Sequence, residues 1–440
     1  MIYWNCKKHS KIKNLEVLHM SNDNILAGNL KRGILRFSEK ISKGQTRPGF
    51  KFVSQMIYGI LASQSCHLSK IGRALEEGVR LKKTIERLSR NLLGFKDGER
   101  VQENYLAIVK KCVSDKSILI LDDSDITKPC SNKLEGLCAV RDGSTGEIGI
   151  GYHTVGASVL TPGTKQPLGV YTRVYSSCEK DFVSADEETL KALRFLSKHF
   201  KRNNIRALDR GYDANAYYEY LTDKKEKFVI RAKKNRDVVY KGERINILTL
   251  ANRFKGKYSL KFKKKNGKTA DCKISIVSIK LPCRPNDDLN LVICRGLGVE
   301  PLMLITNLNS DDNRLSVVVT KVYLMRWRIE EYYGFKKQQF DFEDFRVRSL
   351  HSIRTLDLLL TIAIGYIGMM STKVEERVMV MELITISKRI FDTPNFLFYA
   401  LADGLFTVFA RTKNGVADLL RKKPKDPQLS FFKDIGFAWG

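Results

Sequence analysis

The order of strand-like and helix-like segments between residues 115 and 237 constrains this chain more than any single motif. "KSILILDD" is a brief apolar run ending in acid, and "EIGIGYHTVGASVL" and "QPLGVYTRVYSS" alternate with β-branched and aromatic residues, with Gly and Pro between them. They predict three consecutive antiparallel strands. "SADEETLKALRFLSKHF" then carries a start signal at Ser184, acids in its first turn and Lys198 and His199 at its end, the charge order a helix dipole favours. A short strand in "NIRALDRGYD", a helix through "ANAYYEYLTDKK" and a strand at "KFVIRAKK" follow. Such alternation predicts an α/β protein with a mixed sheet and helices packed on it.

The flanks differ in texture. Residues 1–114 read as a helical N-terminal region, with short patterns at "FKFVSQMIYGILAS", "HLSKIGRALEEG" and "KKTIERLSRNLL". These suit a helix-turn-helix-like DNA module and suit any small helical bundle equally. Taking 115–237 as the first part of the core, residues 238–308 return to strands, including "DCKISIVSIKL" and "LNLVICRGL", and read as a β-rich insertion. Residues 309–372 supply the second part of the core and 373–440 a helical C-terminal region, with no proline from Pro301 to Pro394. The most apolar window, "LDLLLTIAIGYIGMM", is shorter than the roughly 20 residues a bilayer needs and contains Asp357, so it reads as a buried core helix.

Lys and Arg number 77 against 48 Asp and Glu, a net charge of +29 in 440 residues. A like-signed field of this size opposes compaction but strengthens association with phosphate backbones, so a polyanionic partner is expected, nucleic acid before membrane. The excess recurs at "KKHSKIK", "RLKKTIERLSR", "RAKKNR", "KFKKKNGK" and "RKKPK", a dispersal that suits a long duplex, although any one run could be a solvated face. Nine cysteines form no C-x-x-C pair, as expected for reduced thiols in a cytoplasm, and "MIYWNCKKHS" lacks the long apolar core of a secretory signal.

Three groups of acids fall where sites gather. Asp122, Asp123 and Asp125 end an apolar strand, and Asp209 ends another. Each alone could be a turn or cap residue. In "KVYLMRWRIEEYYGFKKQQF", laid on one continuous helix, Tyr323, Arg326, Glu330 and Lys337 share an arc of roughly 60°, and Glu331 points about 100° from Glu330. On that helix alone, Arg326 and Glu330 could be no more than a surface pair worth a few tenths of a kcal/mol. Two strand-end Asp and one helical Glu together would make an oxygen-rich cage for hard divalent ions; two ions about 3.5 to 4 Å apart can activate an attacking hydroxyl and stabilise the leaving oxygen of a phosphodiester.

The spacing Tyr323, Arg326, Glu330, Lys337 resembles the Y-R-E-K signature of the DDE transposases of bacterial insertion sequences, specifically the insertion sequence 4 family. "LDDSDITK" resembles that family's first acidic block, with Asp123 as the matching acid, and "LDRGYD" its second, with Asp209. The resemblance implies an RNase H-like catalytic core interrupted by a β-rich insertion. It further implies two magnesium or manganese ions at Asp123, Asp209 and Glu330, and cut-and-paste chemistry on double-stranded DNA: water attacks at a transposon end, and the freed 3′ hydroxyl then attacks target DNA. Tyr323, Arg326 and Lys337 would hold the DNA end, and a homodimer would work on paired ends. Two departures stand out. The only tryptophans are Trp4, Trp327 and Trp439, so a base-stacking Trp in the insertion has no counterpart, and Ser124 stands where Thr is common. A nuclease that cuts without joining and a silent DNA-binding derivative are the alternatives; sugar hydrolysis by paired carboxylates does not suit the +29 charge.

Overall fold

The computed structural model describes residues 23–131, 133–143, 145–162, 166–263, 269–309, 314–372, 377–389, 396–412 and 415–420, without the side chains of residues 262, 263, 377 and 418. Ser310, Asp311 and Asp312, residue types that start helices and so predict one after them, Cys6 and the end "FFKDIGFAWG" lie outside the described residues.

The chain opens with helices: α1 over 23–41, α2 Arg47–Ser63, α3 Leu68–Ala74, α4 Leu81–Leu93 and α5 Gly98–Val109. Strands β1 Ile118–Thr127, β2 Cys138–Arg141, β3 Ile148–Leu160 and β4 Pro167–Tyr175 come next, then α6 Ala185–His199, β5 Ile205–Leu208, α7 Asn215–Asp223 and β6 Phe228–Arg231. The following stretch contains β7 Asp237–Tyr240, β8 Glu243–Asn246, α8 Ile247–Asn252, β9 Tyr258–Lys263, β10 Thr269–Leu281, β11 Arg284–Arg295 and β12 Leu302–Thr306. It closes with α9 Leu315–Met325, α10 Arg328–Gln339, α11 Leu350–Met370, α12 Arg377–Ser387, α13 Phe398–Arg411 and α14 Ala417–Leu420.

Local chemistry accounts for several of these boundaries. Ser184 caps α6 by accepting from the Glu187 amide at 3.1 Å, and Asp186, Glu187 and Glu188 occupy its first turn, where the helix dipole favours negative charge. The apolar helix α11 is long enough to cross a bilayer, but 89% of its most apolar window is buried inside the protein. Asp357, in its middle, is neutralised by Lys336 of α10.

The sheet is mixed. β1 pairs antiparallel with β3 and parallel with β5, β5 continues parallel to β6, and β6 pairs antiparallel with β12. Beyond β12 the order runs β11, β10, β7, β8, so the strands of the 238–308 stretch extend the same sheet. This shields the edge that β6 would otherwise expose. The three antiparallel strands expected after residue 115 appear as β1, β3 and β4; the short β2, which alternates buried and exposed residues over only four positions, is an addition.

Each face of the sheet carries its own core. The larger one lies between the sheet and helices that include α2, α5, α6, α11 and α13, and takes Leu119, Leu121, Leu208 and Ile230. The smaller one takes Ile118, Ile120, Ala207 and Val229 and is covered by Val319, Val322 and Tyr323 of α9 and Ile329 of α10. Helix α2, which could have been part of a DNA-reading module, is buried from Phe52 to Ala62 and packs on α11 and α13.

Candidate active site

Strand parity decides which acids meet. Successive side chains along a strand point to opposite faces, so Asp122 continues the Ile118 and Ile120 row on the α9 side, and Asp123 continues the Leu119 and Leu121 row on the other. Ala207 lies on the α9 side, which puts Asp209 there too. Parallel pairing sets Leu121 level with Leu208, so Asp122 and Asp209 stand side by side one step further on, where that pairing ends: Asp209 just past β5, and Asp122 midway along β1, which continues to Thr127 instead of ending at the acids.

Arg326 fills the junction. Its Nη1 lies 2.9 Å from Asp122 Oδ2, its Nη2 2.5 Å from Glu330 Oε1 and its Nε 3.9 Å from Asp209 Oδ1. Tyr323 donates its hydroxyl to Asp209 Oδ1 at 2.7 Å, and Tyr333 donates to the Asp122 carbonyl at 2.7 Å. The tyrosine reaches that far because Gly156, opposite Asp122 on β3, has no side chain: a Cβ there would lie 2.6 Å from the Tyr333 hydroxyl.

The sequence reading grouped Asp123 with Asp209 and Glu330; the structure brings Asp122 to them instead. Asp123 faces the opposite side, near Tyr212 and Asp186, and crowding by protein atoms lifts its carboxyl to about 6, with Tyr212 opposing and Asp186 reinforcing the shift, although water still reaches it. The continuous helix expected over the Y-R-E-K residues is also broken. A turn at Arg326 and Trp327 separates α9 from α10, with the amides of Arg326, Ile329 and Glu330 bonding three residues back at 3.0 to 3.1 Å. Arg326 and Glu330 keep their contact across the turn. Lys337 does not join them: it pairs with Glu343 at 2.9 Å and lies 3.9 Å from Asp125. Glu331 turns away from the cluster to Arg328, at 2.6 Å.

The carboxylates titrate differently. Burial raises the Asp122 carboxyl to about 7 despite Arg326, with Asp209, Asp123 and Glu330 adding to the rise. Burial pushes Asp209 upward as well, but Arg326, the Tyr323 hydroxyl, the Arg210 amide and Arg231 outweigh it and hold Asp209 below the usual carboxylate range. Burial and Asp209 raise the Tyr323 hydroxyl to about 12.

Among the described residues no three acidic, His or Cys side chains stand close enough to hold an ion between them, since a guanidinium occupies the centre of the cluster. The donor chemistry nonetheless suits a hard divalent cation: the three carboxylates surround one guanidinium, so the group they already face is a cation.

Neither Asp122 nor Tyr333 was singled out from sequence. Because Ile118 to Leu121 are buried on both faces, the apolar run itself does not say which way the following acid points; only the register with β5 does.

Carboxylates on adjacent parallel strands where their pairing ends, faced by a helix and the turn before it that bring a glutamate and a guanidinium, define an α/β protein with an acidic site. Residues 114–365, more than half of the chain and every residue of this cluster, match the transposase DDE domain, and the chain belongs to that family. The cryo-EM structure of a piggyBac transposase synaptic complex with hairpin DNA is similar at TM-score 0.45 and 9% identity, over 94% of this chain and 84% of that chain. No curated protein matches the sequence.

Proposed function

We propose that this protein cuts DNA at the ends of a mobile element and joins the freed ends to target DNA, with Asp122, Asp209 and Glu330 as its catalytic acids. The observation that carries the reading is the convergence of these three carboxylates on Arg326 at one lip of the sheet. In this reading β1, β5 and β6, with the β3 and β4 hairpin, form an RNase H-like core, and residues 238–308, through β12, are its insertion.

Magnesium or manganese ions, two in number, would be held by Asp122, Asp209 and Glu330 and would activate the attacking hydroxyl and stabilise the leaving oxygen. The protein's own groups do the rest. Tyr323 fixes Asp209 through its Oδ1. Arg326, which now neutralises the acids, exchanges them for a phosphate of the DNA end, and Lys337 makes the same exchange from Glu343. Water attacks first and the 3′ hydroxyl second, in a dimer on paired ends within the cytoplasm. The sequence spacing of Tyr323, Arg326, Glu330 and Lys337 supports membership of the insertion sequence 4 group.

Purified protein incubated with magnesium or manganese and a duplex bearing the inverted repeats that flank its reading frame is expected to nick the repeat end and then give joined product. Nicking that survives Glu330→Gln would refute the assigned acids. Nicking without joining would identify a nuclease, and binding without nicking a silent derivative.

A further inference from the structure

The row that carries Asp122 and Asp209 has a third member. β6 runs parallel to β5 with Leu208 level with Ile230, so the next residues, Asp209 and Arg231, are neighbours on the α9 face. Arg231 is half-buried. It opens into a cavity of about 290 Å³ on the side of Asp209 away from Asp122, with Arg210, Lys234 and Tyr323 in its wall. Glu300, also in the wall, spends its charge on Lys234 at 3.3 Å. Among the described residues neither Arg210 nor Arg231 has an ion pair of its own, although each flanks the acid cluster.

Two guanidiniums at the rim of the acid site, neither tied up in a close ion pair, keep N–H donors to offer a ligand, and Arg has the planar fork that matches phosphate. Adjacent strands lie about 5 Å apart, so the cavity is within a single nucleotide's reach of the acids. Tyr323 forms a common wall: its hydroxyl is bound to Asp209 while its ring edge borders the cavity.

We propose that this cavity is a subsite for the phosphate of the nucleotide next to the cleaved bond, gripped by Arg231 and Arg210. The assignment rests on the transposase reading and adds a phosphate-binding pair outside the Tyr323, Arg326 and Lys337 set.

The test is binding rather than turnover. Full-length protein is titrated, with calcium in place of magnesium, against duplexes of the element's own end in which one linkage at a time is a neutral methylphosphonate. One linkage beside the cleaved bond should weaken wild-type binding about tenfold, the size of a single charge-assisted contact, and have no effect on Arg231→Gln. Arg231→Lys, which keeps the charge and loses the fork, should fall between them. Arg210→Gln, at an exposed position, should lose sensitivity at the same linkage, which covers the case in which Arg231→Gln does not fold. Identical profiles for wild type, Arg231→Gln and Arg210→Gln overturn the subsite while leaving end binding and cleavage intact. A wild-type protein that binds the element's end no better than unrelated DNA overturns the transposase reading, and the subsite with it.

Discussion

Arg326 reaches Asp122 and not the adjacent Asp123, its Nη1 standing 2.9 Å from Asp122 Oδ2. A one-residue difference along β1 exchanges faces of the sheet, so the guanidinium selects the acid that lies level with Asp209. The contact also ties β1 to the helical turn that presents Glu330, because the same guanidinium holds Glu330 at 2.5 Å.

The two neighbouring acids should therefore separate on mutation. Asp122→Asn removes a proposed metal oxygen and should lower end cleavage by roughly a thousandfold or more, as loss of a group that acts on the transition state does. Asp123→Asn, on the far face, should keep cleavage within about tenfold of wild type. Single-turnover nicking of an end duplex compares them, and the reverse order would show that the acid opposite the cluster is the one that matters.

Part of this site's geometry was legible beforehand, and what was not has separate physical causes. Asp209 follows a short apolar run whose turn is marked by "DRGYD", and the separation of Glu330 from Glu331 follows from helical geometry that survives the break before α10. Which of Asp122 and Asp123 meets Arg326 was not legible, because a strand buried on both faces has no alternation to give its parity. The break at Arg326 and Trp327 carries no Gly or Pro to announce it, and Lys337, two turns beyond Glu330 on α10, is taken by Glu343. The sheet's continuation beyond β6 is a long-range pairing, with Leu304 opposite Arg231, that no local signal encodes.

Arg326 and divalent cations should compete for the same carboxylates. Arg326→Gln removes the resident positive charge, so manganese should bind the DNA-free protein more tightly, by about tenfold, while affinity for the DNA end falls. Calorimetric titration with manganese reads the first effect without requiring turnover. Unchanged or weaker manganese binding in the variant would mean that Arg326 helps to build the site rather than filling it.

The pH dependence of the metal-free fold should run opposite to that of an ordinary salt-bridged acid. Burial holds Asp122 at about 7 against an ordinary value of 3.8, so over that interval the folded protein keeps a proton the unfolded chain has released. This contribution to stability is present at low pH and is lost as pH rises from about 4 through about 7. Metal binding needs the ionised carboxylate, so the rise in Tm on adding manganese should be small near pH 5.5 and grow towards about pH 8. Asp209, held low, stays ionised throughout and adds no slope in this window. Thermal melts with and without manganese decide it: an increment independent of pH would contradict the burial of Asp122.

Lys336 and Asp357 should be worth more to the fold than their distance from the acids suggests. Both are buried, at 4% and 1% exposure, and they pair directly, with the Lys336 ammonium also 3.2 Å from the Thr361 hydroxyl and 4.6 Å from the centre of the Phe342 ring. Thr172 of β4 donates to the other Asp357 oxygen at 2.5 Å, so the pair joins α10, α11 and the sheet. Lys336→Met leaves Asp357 without its ion-pair partner inside a buried apolar helix and should cost about 3 to 5 kcal/mol in urea unfolding; Lys336→Met with Asp357→Leu should recover most of that. Because α10 also carries Glu330, the single variant should lower cleavage even where it remains folded, and the double variant should restore stability before it restores activity. A single variant within about 1 kcal/mol of wild type would show that the two helices are held by their apolar packing alone.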